Sequence, residues 1–327
     1  MKLILHIGLP KTAVTTLSYL FENSKEVNFL GRPLVPIYNT LWQSMIFEKE
    51  ELYKKKILKL KKKLFSYLSN KKKNVLLIEG ITDPFFSINA KVNFIKRLGI
   101  LKKIFEKDLE IEIIYVIRNQ PDLILSRYIE SPQFFKEYNT NWVNFELLKI
   151  PFAKEKFSKK DQIFFKKFFF YKNCKDLVNI FGKKKVNILL YEQLKKDKKN
   201  FANKLSKILN LKPNNVFKIL KKYELNRSIL TNNMDYIRKT HQISFILTNN
   251  FIYVKFNKII PREIKHLFKN LFICFDKYLY HFIYKFYPKT VIKINEKEKK
   301  LIKKFYIYDN KKIEKFFKIE LKENDYY

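Results

Sequence analysis

Ile7-Gly8-Leu9-Pro10-Lys11-Thr12-Ala13-Val14-Thr15-Thr16-Leu17 is the stretch that sets the class of structure. It follows Lys2-Leu3-Ile4-Leu5-His6-Ile7, a short apolar run ended by Gly8, which is the pattern of a strand buried on both faces. From Thr15 to Asn23 the apolar spacing turns helical. Strand, loop and helix in that order open a phosphate-binding α/β fold. A loop of this kind turns backbone N–H groups and the positive end of a helix dipole toward one point. Lys11 adds a full positive charge there, and the threonines add hydroxyl donors. The combination suits a phosphate or phosphosulfate group. It is not a nucleoside-triphosphate loop of the Gly-x4-Gly-Lys-Ser/Thr type, because Lys11 precedes the turn and no second glycine is present.

Working outward, Val75-Leu76-Leu77-Ile78, Ile111 to Ile117 and Val186 to Tyr191 read as further buried strands. Helical spacing covers 51–69, 121–130, 161–181, 198–210 and 213–224, with Pro121 in a favourable first-turn position. Strands alternating with helices predict a P-loop-like, three-layer α/β fold: a central parallel sheet flanked by helices, plus a helical C-terminal extension. Ligands of such sheets sit at the carboxyl ends of the strands. Gly8–Thr16, Glu79 and Arg118 all lie just past strand ends, so they can meet in one crevice.

Composition narrows the function classes. The 68 Lys and Arg against 31 Asp and Glu give a net charge of +37, which favours an anionic partner or reflects a bias toward Lys, Asn, Ile, Phe and Tyr. Lys far outnumbers Arg, the better bidentate reader of bases, and no nucleic-acid reader motif is present, so no specific nucleic acid is expected. Cys174 and Cys274 have no metal-ligand spacing and sit among apolar residues, as buried thiols of a reducing compartment would. No ligand cluster calls for a metal. No signal peptide precedes the first strand and no run of about 18 apolar residues occurs, so a cytoplasmic chain is expected. The aromatic, basic segment 240–292 is read as helical. It either closes the domain, forms an acceptor subregion or lies peripherally on the inner membrane face. No repeat or Pro- or Ser-rich linker interrupts the chain, so 1–327 is expected to form a single domain.

A second motif is Arg118-Asn119-Gln120-Pro121-Asp122-Leu123-Ile124-Leu125-Ser126-Arg127-Tyr128, with Arg118 at a strand end and Ser126 about two turns into the next helix. Together with the Lys11 loop it resembles the sulfotransferase family that uses 3′-phosphoadenosine-5′-phosphosulfate (PAPS), in particular bacterial, carbohydrate-modifying members. The family's 5′-phosphosulfate loop is usually Pro-Lys-Thr-Gly-Thr-Thr. Here Ala13 replaces the glycine and Val14 the first threonine of the pair. The family's 3′-phosphate motif is Arg-x-x-x-Asp-x-x-x-Ser-x-Tyr, and Arg118 and Ser126 keep its spacing. Tyr191-Glu192-Gln193-Leu194 resembles the family's Tyr-Glu-Asp-Leu strand end, and Phe305 to Asn310 resembles the closing helix of bacterial members, which carries an Asn.

The resemblance implies a transferase with PAPS as donor, 3′-phosphoadenosine-5′-phosphate as product and a glycan or glycolipid as acceptor. Lys11, Thr12, Ala13, Val14, Thr15 and Thr16 would hold the 5′-phosphosulfate. Arg118 and Ser126 would hold the 3′-phosphate. Lys11 would also stabilise charge on the leaving phosphate oxygen. Sulfuryl transfer needs a base for the acceptor hydroxyl; Glu79, closing a strand in Ile78-Glu79-Gly80, is the candidate. His6 lies within a strand and reads as a core or loop-orienting residue, while His241, His266 and His281 fall in a segment the resemblance does not cover. Ala13 and Val14 keep a second reading open, that of a sulfotransferase-like binding protein with weakened turnover.

Overall fold

The computed structural model describes residues 1–31, 50–78, 94–130, 150–222 and 293–327. The chain forms two compact units, one of Met1–Arg127, Lys149–Asn226 and Asn295–Tyr327, the other of Tyr128–Leu148 and Arg227–Ile294. The sheet and the candidate site belong to the first. The 240–292 segment and its three histidines belong to the second and lie outside the described residues, as does Cys274.

Five strands form one sheet: β1 (Lys2–His6), β2 (Val27–Phe29), β3 (Lys73–Leu77), β4 (Glu110–Ile117) and β5 (Val186–Leu190), in the order β2-β3-β1-β4-β5. Every pairing is parallel. The helices among the described residues include α1 (Val14–Asn23), α2 (Glu50–Phe65), α3 (Phe94–Phe105), α4 (Gln120–Glu130), α5 (Lys159–Phe165), α6 (Tyr171–Phe181), α7 (Tyr191–Lys196), α8 (Lys198–Leu209), α9 (Pro213–Lys222) and α10 (Glu296–Phe317). The expected α/β fold, with its central parallel sheet and helical C-terminal segment, is thus what the chain adopts.

The period of two along β1 divides its side chains between two helical layers. Ile4 faces a core shared with Leu17 and Phe21 of α1, Phe201 and Leu205 of α8 and Val216 of α9. Leu3 and Leu5 face the opposite layer, where Ile57 and Leu64 of α2 meet Leu101 and Phe105 of α3. Both faces are therefore covered, which is why the strands read as near-continuous apolar runs. β1 is the centre of the sheet. The chain places β3 on one side of β1 and β4 on the other, so the strand order reverses there. The carboxyl ends of β1 and β4 flank the crevice that such a reversal opens.

The structure corrects two expectations. β2 has no counterpart in the sequence reading, because an edge strand of three residues carries no periodicity of its own. The single helix expected over 161–181 is two, α5 and α6, separated by a 3₁₀ turn at Lys166–Phe168 and extended backbone at Phe169 (φ −78°, ψ 127°). Phe165, Phe168 and Phe170 are all buried. One straight helix would place Phe170 about 140° around its axis from Phe165 and expose one of them. The break lets all three enter the core. It leaves the first N–H groups of α6 without intrahelical partners, and Asp309 of α10 supplies the acceptor, taking Phe170 N at 2.7 Å and Tyr171 N at 3.2 Å.

Cys174 is buried and in no disulfide. No described helix is long and apolar enough to cross a membrane.

Candidate functional site

The loop after β1 does not leave the sheet at once. Val116 N donates to Gly8 O at 3.0 Å and Leu9 N donates to Val116 O at 3.1 Å, continuing the β1–β4 pairing past the end of β1. This zipping carries the next turn to the end of β4, where Arg118 stands. The chain then turns through left-handed backbone at Lys11 (φ 64°) and Ala13 (φ 69°) into α1. Thr12 is fully buried, and its hydroxyl donates to Leu9 O. That proton braces the turn, leaving the backbone N–H as what Thr12 can offer a ligand. Val14 is the first residue of α1 and is buried, so it too can contribute only main chain. Thr15 and Thr16 are half-buried on the first turn.

Two helices begin at this crevice, and they treat their N-termini differently. α4 is capped by its own residues: Asn119 Oδ1 accepts from Asp122 N at 3.0 Å, and Asp122 adds a carboxylate to the first turn. α1 has neither a side-chain cap nor an acidic residue in its first turn. Its ladder starts with Leu17 N donating to Ala13 O at 2.9 Å, so the N–H groups of Val14, Thr15 and Thr16 precede the first intrahelical bond. The open positive end is therefore that of α1, the helix behind Lys11, and an anion is the group that would complete it.

Ala13 at φ 69° occupies backbone that an L-residue adopts at a cost of about 1–2 kcal/mol, whereas glycine adopts it freely. Glycine also adds unfolded-state freedom worth about 0.4–1 kcal/mol, which offsets part of the gain. Ala13→Gly is therefore expected to stabilise the protein by roughly 0.5–1 kcal/mol, read as a higher midpoint in denaturant unfolding. A lower midpoint would show that the left-handed turn is not strained.

Arg118, 107 residues from Lys11 in sequence, donates from Nη1 to Lys11 O at 3.1 Å. Its guanidinium lies over the Tyr191 ring, 4.6 Å from the centroid. Its Nε is buried and has no hydrogen-bond partner, so donor capacity remains beside the loop. Asp122 is engaged by Asn119. Ser126 is half-buried in the second turn of α4. Thus Lys11 and Arg118 are in direct contact, and Ser126 rides on the helix that Arg118 precedes. Glu79 lies outside the described residues.

Beside Arg118 is a buried polar layer that the sequence indicates through Tyr191, Glu192 and the Asn310 of the closing helix, without showing how they pair. Glu192 Oε1 accepts from Asn119 N at 3.0 Å and from Asn119 Nδ2 at 2.9 Å. Burial raises the Glu192 carboxyl above its usual range, with the Asn119 bonds and the Arg118 charge opposing. Gln120 and Asn310 form a reciprocal amide pair, Gln120 Nε2 donating at 2.8 Å and Asn310 Nδ2 at 3.1 Å. This pair ties α10 to the start of α4. The two residues are 190 positions apart, so the sequence does not show that they pair. His6 is fully buried, edge-on to Phe21 at 6.3 Å, and burial alone drives its imidazole down to about 3. It is a neutral core residue, which disqualifies it as a base working near neutral pH. Among the described residues, no group of three His, Cys, Asp or Glu side chains could hold a metal ion.

No protein-family model matches the chain, and no curated protein sequence matches it. Among solved structures, a sulfotransferase from Alicyclobacillus acidocaldarius is similar over 99% of this chain and 98% of its own, at 10% sequence identity and a TM-score of 0.50. At that identity the likeness is one of architecture. The five-stranded parallel sheet with its flanking helices has a sulfotransferase fold.

Proposed function

We propose that this protein transfers a sulfuryl group from PAPS to a hydroxyl of a glycan or glycolipid. The observation that carries the proposal is the contact of Arg118 with the Lys11 loop, beside the uncapped start of α1. The Arg118 guanidinium reaches the loop that carries Lys11, beside one helix N-terminus, as a nucleotide with phosphates at both its 3′ and 5′ positions requires. The 5′-phosphosulfate would lie on the N–H groups of Val14, Thr15 and Thr16 with Lys11 at its side. Arg118 and Ser126 would take the 3′-phosphate.

In the reaction the bond from sulfur to the bridging phosphate oxygen breaks as a bond from sulfur to the acceptor oxygen forms. Glu79 takes the acceptor's proton, and Lys11 meets the negative charge that develops on the leaving phosphate. The acceptor assignment follows the resemblance of the Lys11 loop and the Arg118 motif to bacterial, carbohydrate-modifying members. A cytoplasmic site with peripheral contact at the inner membrane face fits a glycolipid acceptor.

Calorimetric titration of 3′-phosphoadenosine-5′-phosphate into the wild-type chain tests the donor site. Saturable one-to-one binding is the expected result. No heat of binding at nucleotide concentrations on the order of 1 mM would remove the donor reading. A second reading, a sulfotransferase-like binding protein, has the strained Ala13 turn in its favour. If Ala13→Gly raises turnover by orders of magnitude without changing nucleotide affinity, the wild-type chain is the binding protein.

A further inference from the structure

The two residues that follow Arg118 are each held from a different side. Asn119 is held by α7, where Glu192 Oε1 accepts from its backbone N at 3.0 Å and from its Nδ2 at 2.9 Å. Gln120 is held by α10. Its Nε2 donates to Asn310 Oδ1 at 2.8 Å, and Asn310 Nδ2 donates back to Gln120 Oε1 at 3.1 Å. Asn310 Nδ2 donates a second time, to Tyr326 O at 3.1 Å. A backbone carbonyl can only accept, so this bond fixes which way the Asn310 amide points, and the Gln120 amide must match it. Gln120 and Asn310 are both fully buried, so neither amide can turn to water if the other is removed.

Arg118 lies directly between the end of β4 and the first residue of α4, Gln120. Its Nη1 donates to Lys11 O at 3.1 Å, near the upper end of a normal hydrogen bond. A displacement of the corner by about 0.5 Å takes that contact out of range. The place of the guanidinium beside the loop therefore depends on how firmly the corner is held. The two holders differ in what else they do. Asn119 also caps α4, through Asp122 N, so its bonds serve the helix as well. The Gln120–Asn310 bonds cap no helix and satisfy no backbone group of α4. Apolar side chains of the same shape would fill such a site at little or no cost in stability. What the amide pair adds is direction: two opposed bonds fix the first residue of α4 against α10.

We propose that Asn310, through its pair with Gln120, is a positioning residue that fixes the corner from which Arg118 reaches the Lys11 loop, and so sets affinity for the 3′-phosphate of the donor nucleotide. The proposal rests on the sulfotransferase reading of this site. It gives a residue of the C-terminal helix a part in donor recognition without contact with the ligand.

The test compares two nucleotides on the full chain. One is 3′-phosphoadenosine-5′-phosphate; the other is adenosine 5′-phosphate, which lacks the 3′ group. Asn310→Leu keeps the shape of the side chain and removes the amide. It is expected to weaken the bisphosphate about 3- to 10-fold and to leave adenosine 5′-phosphate unchanged. In an Arg118→Ala background the same substitution is expected to cost nothing further, because the group it positions is gone. Gln120→Met combined with Asn310→Leu replaces both partners by apolar groups. The double variant is expected to unfold in denaturant near the wild-type midpoint while its bisphosphate affinity stays low, a separation that a merely structural pair would not give. A double variant that regains affinity along with stability overturns the proposal. So does a loss shared by both nucleotides, or one that persists without Arg118. If Asn310→Leu alone does not fold, the double variant, in which neither amide is left unpaired, carries the nucleotide comparison and is read in the same way. Wild type that fails to prefer the bisphosphate overturns the donor-site reading itself, and this proposal with it. Wild type that prefers it while the variants match wild type overturns this proposal alone.

Discussion

Arg118→Ala is expected to weaken binding of 3′-phosphoadenosine-5′-phosphate roughly 30- to 150-fold, which corresponds to the ~2–3 kcal/mol of a lost charged phosphate contact. The upper end of the range for hydrogen bonds to charged groups applies because the guanidinium is half-buried and stacked on Tyr191. The substitution also removes the bond from Nη1 to Lys11 O, so the loop loses one of its anchors to β4. The Gly8–Val116 and Leu9–Val116 bonds remain, and the fold should survive. Arg118→Lys separates charge from geometry. Lysine restores the positive charge but not the planar fork, and it should recover less than half of the lost binding free energy. Calorimetric titration of all three proteins reads the result. An Arg118→Ala protein that binds within about threefold of wild type would place the 3′-phosphate elsewhere and would require a new assignment for the whole Arg118 to Ser126 motif.

The largest effect on stability is expected at Asp309. Asp309→Ala leaves the N–H groups of Phe170 and Tyr171 at the start of α6 without their acceptor, and each buried unsatisfied group costs about 1–3 kcal/mol. A total loss of about 2–4 kcal/mol is expected in denaturant unfolding. Asp309→Asn keeps an acceptor oxygen and should lose much less. The two variants also separate the charge. Burial pushes the Asp309 carboxyl up from 3.8 to about 6, outweighing the bonds from Phe170 and Tyr171 and the attraction of Lys312, which favour the ionised form. Because the folded value is raised, the stability that protonation contributes is fully present below 3.8 and is lost as pH rises through about 6. At about 1.36 kcal/mol per pH unit, the change across that window is about 3 kcal/mol. The difference in unfolding free energy between wild type and Asp309→Asn should therefore fall by most of this amount from about pH 4 to about pH 7. A difference that stays flat across the window would show that Asp309 is ionised throughout.

Arg118 and Asp309 differ in how visible they are in the sequence. Arg118 ends an apolar strand and stands eight residues before Ser126 in a helical stretch. Lys11 is legible for the same reason, at the end of β1. Local patterns of this kind survive in one dimension because strand and helix periods involve only near neighbours. Asp309 carries no such sign. On α10 it looks like any polar residue of an amphipathic helix, and its partners at Phe170 and Tyr171 are 139 and 138 positions away. The break between α5 and α6 is hidden for a related reason. The phenylalanines from Phe164 to Phe170 satisfy a helical pattern about as well as a broken one, and only their burial from several sides decides between the two.

The loop shows the same division at finer scale. Its role as a turn facing an anion is legible from Gly8, Lys11 and the threonines. Which atoms it presents is not. The sequence reading sets Thr12 and Val14 among the residues facing a ligand, and the fold turns both side chains inward, one bracing Leu9 and one packing in the core. A sequence lists side chains, whereas a tight left-handed turn decides whether a side chain or its backbone N–H faces the crevice.

By itself the sequence determined the alternation of strands and helices, the parallel sheet and the placing of Lys11 and Arg118 at strand ends, because each follows from short-range periodicity and from the covering of both sheet faces. Only the tertiary structure decided that Arg118 touches the Lys11 loop, that α1 rather than α4 leaves its N-terminus open, and that Asn119 and Gln120, the two residues after Arg118, are held by Glu192 and Asn310. The bonds from Arg118 to Lys11, from Asn119 to Glu192 and from Gln120 to Asn310 span between 73 and 190 positions, where no period links the partners and only the packing of the finished core brings them together.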